Sequence, residues 1–215
     1  MNTPTNKHHA ITYEECVGFH GHSCPGLAFG YRAVTAAMKA LGVDRPEDEE
    51  LVAICETNAC GVDAIQAVAG TTAGKGNLVV YDYGKHVFTF FNRKNGRAVR
   101  VRILTDATTG NKKFDALRKK VFSGKPTKSE VEQFNKMKEA ATSHVLTAPQ
   151  DKVLELTEVT IRPPRMARIF ASIDCENCGE AVADKKTRLI KGKRVCIPCA
   201  KSMGTQKKKP AAGKA

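Results

Sequence analysis

Four cysteines toward the C-terminal end constrain this chain more than anything else in it. Cys175-Glu-Asn-Cys178 is followed, after seventeen residues, by Cys196-Ile-Pro-Cys199. Each Cys-x-x-Cys pair sets two thiolates on one tight turn. Two such turns supply the four sulfurs that a tetrahedral zinc ion takes at about 2.3 Å. Gly179 directly follows the first turn, where a backbone wrapping a metal wants a residue that tolerates positive φ. Four thiolates close the shell, so Cys175, Cys178, Cys196 and Cys199 are read as ligands of a structural zinc with no position left for a substrate. Two disulfides fit poorly with a chain that opens without an apolar signal segment, and a redox Cys-x-x-Cys has no need of a matched second pair.

The four cysteines define a zinc ribbon over residues 172–203. Ahead of it, residues 1–161 are enough for one domain with its own core. The Arg162-Pro-Pro-Arg165 segment opens a stiff connector over 162–171, and residues 204–215 read as a disordered basic tail carrying Lys207, Lys208, Lys209 and Lys214. No apolar run approaches the ~20 residues of a membrane span. Eight cysteines in such a chain point to metal and thiol chemistry in a reducing cytoplasm.

The formal charge is +13. It lies in the tail and along 93–102 and 112–138, the pattern of solvated faces. Within 172–203 seven Lys/Arg stand against four Asp/Glu, and a zinc with four thiolates adds −2, leaving +1. That is too little for a dedicated DNA reader, so neither a membrane nor a specific nucleic acid is expected as a partner.

Within 1–161 the local signals predict an α+β domain, N-terminal helices packed on an antiparallel sheet. Thr12-x-x-Glu15 is a capping box for a helix over 13–19. Cys24 as N-cap and Pro25 at the first helical position open a second helix, with Leu27, Tyr31, Val34, Met38 and Leu41 at helical spacing and Gly42 ending it. Asn58 caps a third helix with Cys60 and Asp63 in its first turn. Strands are expected at 51–55, 78–82, 87–92, 98–104 and 153–161, and helices at 113–122 and 129–146. Asp82–Lys85 and Arg93–Gly96 read as hairpin turns. Gly70–Gly76 departs from a phosphate-binding loop in spacing and context, though Lys75 on that loop could meet an anion.

The chemistry concentrates in Cys16-Val-Gly-Phe-His20-Gly-His22-Ser-Cys24-Pro-Gly26. His20, His22 and Cys24 alternate, so an extended segment would turn all three to one side. Cys24 and Cys60 each sit at a helix N-terminus, which favours thiolate. Brought together they offer a mixed S/N site for zinc, nickel or iron, with Cys24, His22 and Cys60 as the catalytic candidates and His20, His22, Cys24 and Cys60 as the metal ligands. Cys16 is a weaker member. Cys55, His8, His9 and His144 are read as packing or surface residues.

Phe19-His-Gly-His22-Ser-Cys24-Pro-Gly26-Leu-Ala-Phe-Gly30 and Glu56-Thr-Asn-Ala-Cys60-x-x-Asp63-Ala-Ile-Gln66 resemble the FmdE family, named after a component of formylmethanofuran dehydrogenase. Gly74-Lys-Gly-Asn77 and Asp82-Tyr-Gly-Lys85-x-x-Phe-Thr-Phe90 match its pattern too, so the resemblance covers 12–160. The four-cysteine segment is similar to the DksA/TraR-type zinc finger. The resemblance implies an α+β core, a homodimer, and a His/Cys pocket carrying a metal. It also implies a small-molecule substrate and an association with the components of a molybdenum or tungsten one-carbon oxidoreductase. An accessory protein that handles metal, and a regulatory zinc-ribbon protein that binds nucleic acid or a protein, are the alternatives.

Overall fold

A computed structural model describes residues 9–104 and 112–204. His8 and the lysines of the tail lie outside the described residues. The chain divides into two compact units, Met1–Ala167 and Arg168–Ala215.

The first unit begins as its caps dictate. Helix α1 (Tyr13–His20) opens on Thr12, whose Oγ1 accepts from Glu15 N while Thr12 N donates to the Glu15 carboxylate. Gly21, at φ +94, ends it. Helix α2 (Pro25–Leu41) has Cys24 as N-cap, its Sγ accepting from Leu27 N at 3.4 Å. It then runs to Gly42 in the left-handed region. Its apolar face is broader than the expected stripe: Ala28, Ala33 and Ala37 are buried beside Leu27 and Val34, because α2 is packed from several sides.

A five-stranded sheet lies against these helices in the order β2-β1-β3-β4-β5, with β1 Leu51–Cys55, β2 Leu78–Val80, β3 Val87–Asn92, β4 Ala98–Ile103 and β5 Leu154–Val159. Phe88, Phe90, Val99, Val101 and Ile103 join the α2 core, while Val52, Phe91 and Ala98 make a small cluster apart from it. The fold is α+β, with one departure from an antiparallel sheet. Strand β2 pairs with β1 in parallel, Ala53 opposite Leu78. Helix α3 (Gly61–Ala69) between them returns the chain, which is what a parallel neighbour requires. Since β1 lies between β2 and β3, Asp82–Lys85 is no hairpin turn. It is a bridge over the end of β1, with Tyr83 N and Lys85 N both donating to Glu56 O.

Helices α4 (Lys112–Phe122) and α5 (Lys128–Thr147) follow, and the four-residue α6 (Gln150–Val153) leads into β5. Helix α5 carries an unforeseen second capping box, Thr127 with Glu130. Arg32 ties α2 to its far end, donating to the carbonyls of Val145, Leu146 and Ala148 at 2.7–3.0 Å. The start of the connector is held to this unit: Arg93 donates to the carbonyls of Pro164 and Arg165.

Two other expectations change. Asn58 caps nothing; its Nδ2 donates to Asp82 at 3.0 Å, and Cys60 is the N-cap of α3. The Lys75 ammonium turns to the carbonyls of Glu47 and Asp48, which removes it as an anion ligand.

The second unit holds two hairpins, β6 (Ser172–Asp174) with β7 (Ala181–Ala183) and β8 (Thr187–Ile190) with β9 (Lys193–Cys196), and then helix α7 (Ile197–Gly204). Gly179 has φ +76, the conformation expected behind the first Cys-x-x-Cys turn. No helix among the described residues is long and apolar enough to cross a membrane.

Candidate metal centres

In the C-terminal unit the two turns bring Cys175, Cys178, Cys196 and Cys199 together, their sulfurs all within 4.8 Å of one another. Cys178 Sγ and Cys196 Sγ stand 4.0 Å apart, close to the ~3.8 Å edge of a tetrahedron with 2.3 Å metal–sulfur bonds. Backbone donors prepare the thiolates. The Cys175 thiol is held near 6 by the backbone N–H groups of Cys178 and Cys196, the latter 3.2 Å from its sulfur. Asn177 Nδ2 donates to Cys199 Sγ at 3.2 Å. The donor set fits zinc.

The second cluster is built by glycine. A Cβ added to Gly30 on α2 would stand 2.2 Å from Gly61 O and 2.4 Å from Gly61 Cα on α3, so the two helices meet backbone to backbone. One turn earlier, a Cβ on Gly26 would lie 3.3 Å from Cys60 Cβ. Only bare glycine faces allow this approach, and it draws the two N-caps, Cys24 and Cys60, together. Both thiols join His20 in a group whose ligand atoms lie within 4.8 Å of one another.

His20 arrives differently from what alternation suggests. The segment is not extended. His20 is the last residue of α1, Gly21 turns the chain in the left-handed region, and the ring then returns toward Cys24, Nε2 to Sγ 4.0 Å. His22 is exposed and outside the compact donor group; its ring lies against that of His20 with centroids 4.5 Å apart. Burial lowers its pKa, and His20 and Lys138 act in the same direction. Cys16 is fully buried, away from the group, with its thiol pushed up to about 11 by burial. Cys55 is a packing residue in β1, pushed up to about 12 by burial alone.

The Nδ1 of His20 lies 2.7 Å from Asp63 Oδ2, and Gln66 Nε2 donates to Asp63 Oδ1 at 3.2 Å. A histidine that gives Nδ1–H to a carboxylate presents Nε2 as the free donor atom, the arrangement that orients imidazole ligands. Asp63 is thus a functional residue that motif reading placed on α3 without a role. Its spacing from Cys60, three positions on a helix, was the available signal.

The helix N-terminus does not decide the state of Cys60. Burial pushes its thiol up, and Cys24 beside it pushes the same way. Two sulfurs and an imidazole that gain from a shared cation form a donor set fit for zinc or another borderline transition metal.

Residues 19–155 match the family model described as FmdE, Molybdenum formylmethanofuran dehydrogenase operon. Residues 168–202 match the prokaryotic dksA/traR C4-type zinc finger. A solved structure from Syntrophus aciditrophicus, described as an FmdE-like protein of the tungsten formylmethanofuran dehydrogenase type, is 26% identical with a TM-score of 0.58, covering 92% of this chain and 96% of that one. A relative from Archaeoglobus fulgidus, described as a probable S-adenosyl-L-methionine-binding protein, is 29% identical over 191 residues, 86% of this chain and 51% of the relative. The chain therefore spans about half the length of that relative.

Proposed function

The chain belongs to the FmdE family through residues 19–155, and from that premise we propose that it is a two-metal protein. Cys175, Cys178, Cys196 and Cys199 hold a structural zinc. His20, Cys24 and Cys60 hold a second transition metal, zinc, nickel or iron, at which a small molecule reacts. The observation that carries this reading is the convergence of two thiols and one imidazole from three different helix ends, with Asp63 fixing the imidazole.

Three protein donors leave a position of a tetrahedron to a reactant, where four would close it. A metal so held supplies Lewis acidity toward an oxygen or nitrogen of that reactant. The chain does the rest. Asp63 sets which imidazole nitrogen faces the donor group, Gln66 holds Asp63 in turn, and the Gly30–Gly61 contact keeps the two thiols at a fixed separation. His22 stands at the exposed side of His20, where a proton could pass to or from a bound molecule.

The finer reading, a component of a molybdenum or tungsten one-carbon oxidoreductase acting as a homodimer in the cytoplasm, draws on the descriptions of the matched family and solved structure. A second reading, in which residues 168–202 dock a protein or nucleic acid, draws on the dksA/traR match.

Elemental analysis tests the core. Wild type should carry about two metal ions per chain and Cys60→Ala about one. Unchanged content in both Cys60→Ala and His20→Ala would reduce the cluster to a thiol site.

A further inference from the structure

A groove of about 650 Å³ opens where β3 begins and β4 ends. Phe29 and Ile103 give it an apolar lining, and Lys85, Arg100, Arg102 and Arg118 line it with positive charge. Among the described residues that line it there is no carboxylate. The partners of these cations stand outside the lining. Lys85 and Arg100 share Glu56, at 3.8 and 3.1 Å; Arg102 pairs with Glu155 on the neighbouring strand; Arg118 pairs with Asp115 on its own helix at 3.3 Å.

Four cations against three carboxylates leave one charge in surplus. Geometry matters more than that sum. A guanidinium has five N–H donors, and a carboxylate engages about two of them, so each arginine keeps donors for a second anion. The carboxylates hold the cations in place from behind, and an apolar lining beside such donors strengthens their field. The size falls within the range of about 300–1,000 Å³ typical of small-molecule sites.

The groove is built on the residues that form the core cluster. Glu56, four positions before Cys60, receives Tyr83 N and Lys85 N on its carbonyl, so the loop carrying Lys85 is fastened to the segment carrying Cys60. Phe29 directly precedes Gly30, the residue that meets Gly61.

We propose that this groove binds a multiply charged small anion, through its phosphate or carboxylate groups, and that this anion is the charged part of the molecule that reacts at the core cluster. The second half of the statement rests on the metal reading above; the first half does not.

Calorimetric titration of the full chain with pyrophosphate and, separately, with citrate tests it. Saturable binding of either is expected, pyrophosphate preference marking a phosphorylated ligand and citrate preference a polycarboxylate. Lys85→Ala/Arg118→Ala should weaken that binding about tenfold or more. Both side chains are more than half exposed, 63% and 56%, so the variant should fold; if its circular dichroism is lost, Lys85→Gln alone serves, with a smaller weakening expected. Cys60→Ala should keep anion binding while losing the core metal, which separates failure of the groove from failure of the metal site. Three results would overturn the proposal: no saturable binding of either anion, equal affinity in the groove variant, or tighter binding of a twelve-nucleotide single strand whose affinity grows with strand length, which marks a nucleic-acid surface.

Discussion

His20 and Asp63 meet at 2.7 Å, Nδ1 to Oδ2, across a separation of forty-three positions, and the imidazole is 11% exposed while the carboxylate is 39% exposed. The pair joins the end of α1 to the first turn of α3, and so couples the orientation of a donor ring to the helix that also carries Cys60.

Asp63→Asn should therefore weaken the core metal without unfolding the unit. Loss of such a carboxylate partner typically reduces metal affinity about 10–100-fold. Competition with a chelator gives the affinity, and urea unfolding checks that stability stays within about 0.5 kcal/mol of wild type. An unchanged affinity would mean that Asp63 only packs against the ring.

Gly30→Ala should be the most damaging single-methyl change in the core unit. Its Cβ has nowhere to go but into the Gly61 backbone, at 2.2 Å from the carbonyl oxygen. Overpacking of this kind costs about 1–3 kcal/mol, occasionally more, and any relief separates α2 from α3 and hence Cys24 from Cys60. Denaturant unfolding and metal content should fall together. Gly18→Ala, whose Cβ meets nothing within 4 Å, is the control and should leave both intact.

Cys178→Ser should unfold residues 172–203 and spare the first unit. The second unit's own core is a few buried residues, three of them zinc-ligand cysteines, with Val195 the fully buried exception. A structural zinc contributes on the order of 10 kcal/mol to such a module. Hydrogen exchange should show protection lost there and retained in β1 and β3–β4; loss of the first unit's cooperative melting would contradict independent folding.

Glu130 links stability to pH. The Lys120 ammonium and the Thr127 N–H hold its carboxyl near 2, below the ordinary 4.5. A depressed carboxyl adds stability that is fully present above 4.5 and is lost as pH falls through about 2. Glu130→Gln should thus lower the unfolding midpoint at pH 7, with the difference from wild type shrinking on acidification below 4.5 and closing near 2. A difference independent of pH would assign the effect to shape.

Much was legible along the chain because it depends on bonds between near neighbours. The Thr12–Glu15 box, the Cys24 cap with Pro25, the glycine stops and the two Cys-x-x-Cys turns are all set within four residues, so residue type and spacing suffice to place them. The zinc-ribbon donor set, both thiols of the core cluster and the identity of the family followed from these.

The tertiary structure decided what depends on partners far apart in sequence. Alternation put His20, His22 and Cys24 on one side only if the segment were extended; the α1 helix runs through His20 instead, and the left-handed turn at Gly21 selects His20 for the donor group and leaves His22 at its edge. That Gly26 and Gly30 face Gly61, that β2 lies parallel to β1, and that Glu56 anchors the loop of Lys85 are consequences of helix crossing and strand order. No local period encodes these, since they arise only when separate elements bury their apolar faces against one another. The charge state of Cys60 follows the same rule: its helix position argues for thiolate, but burial and the approach of Cys24 push the thiol the other way.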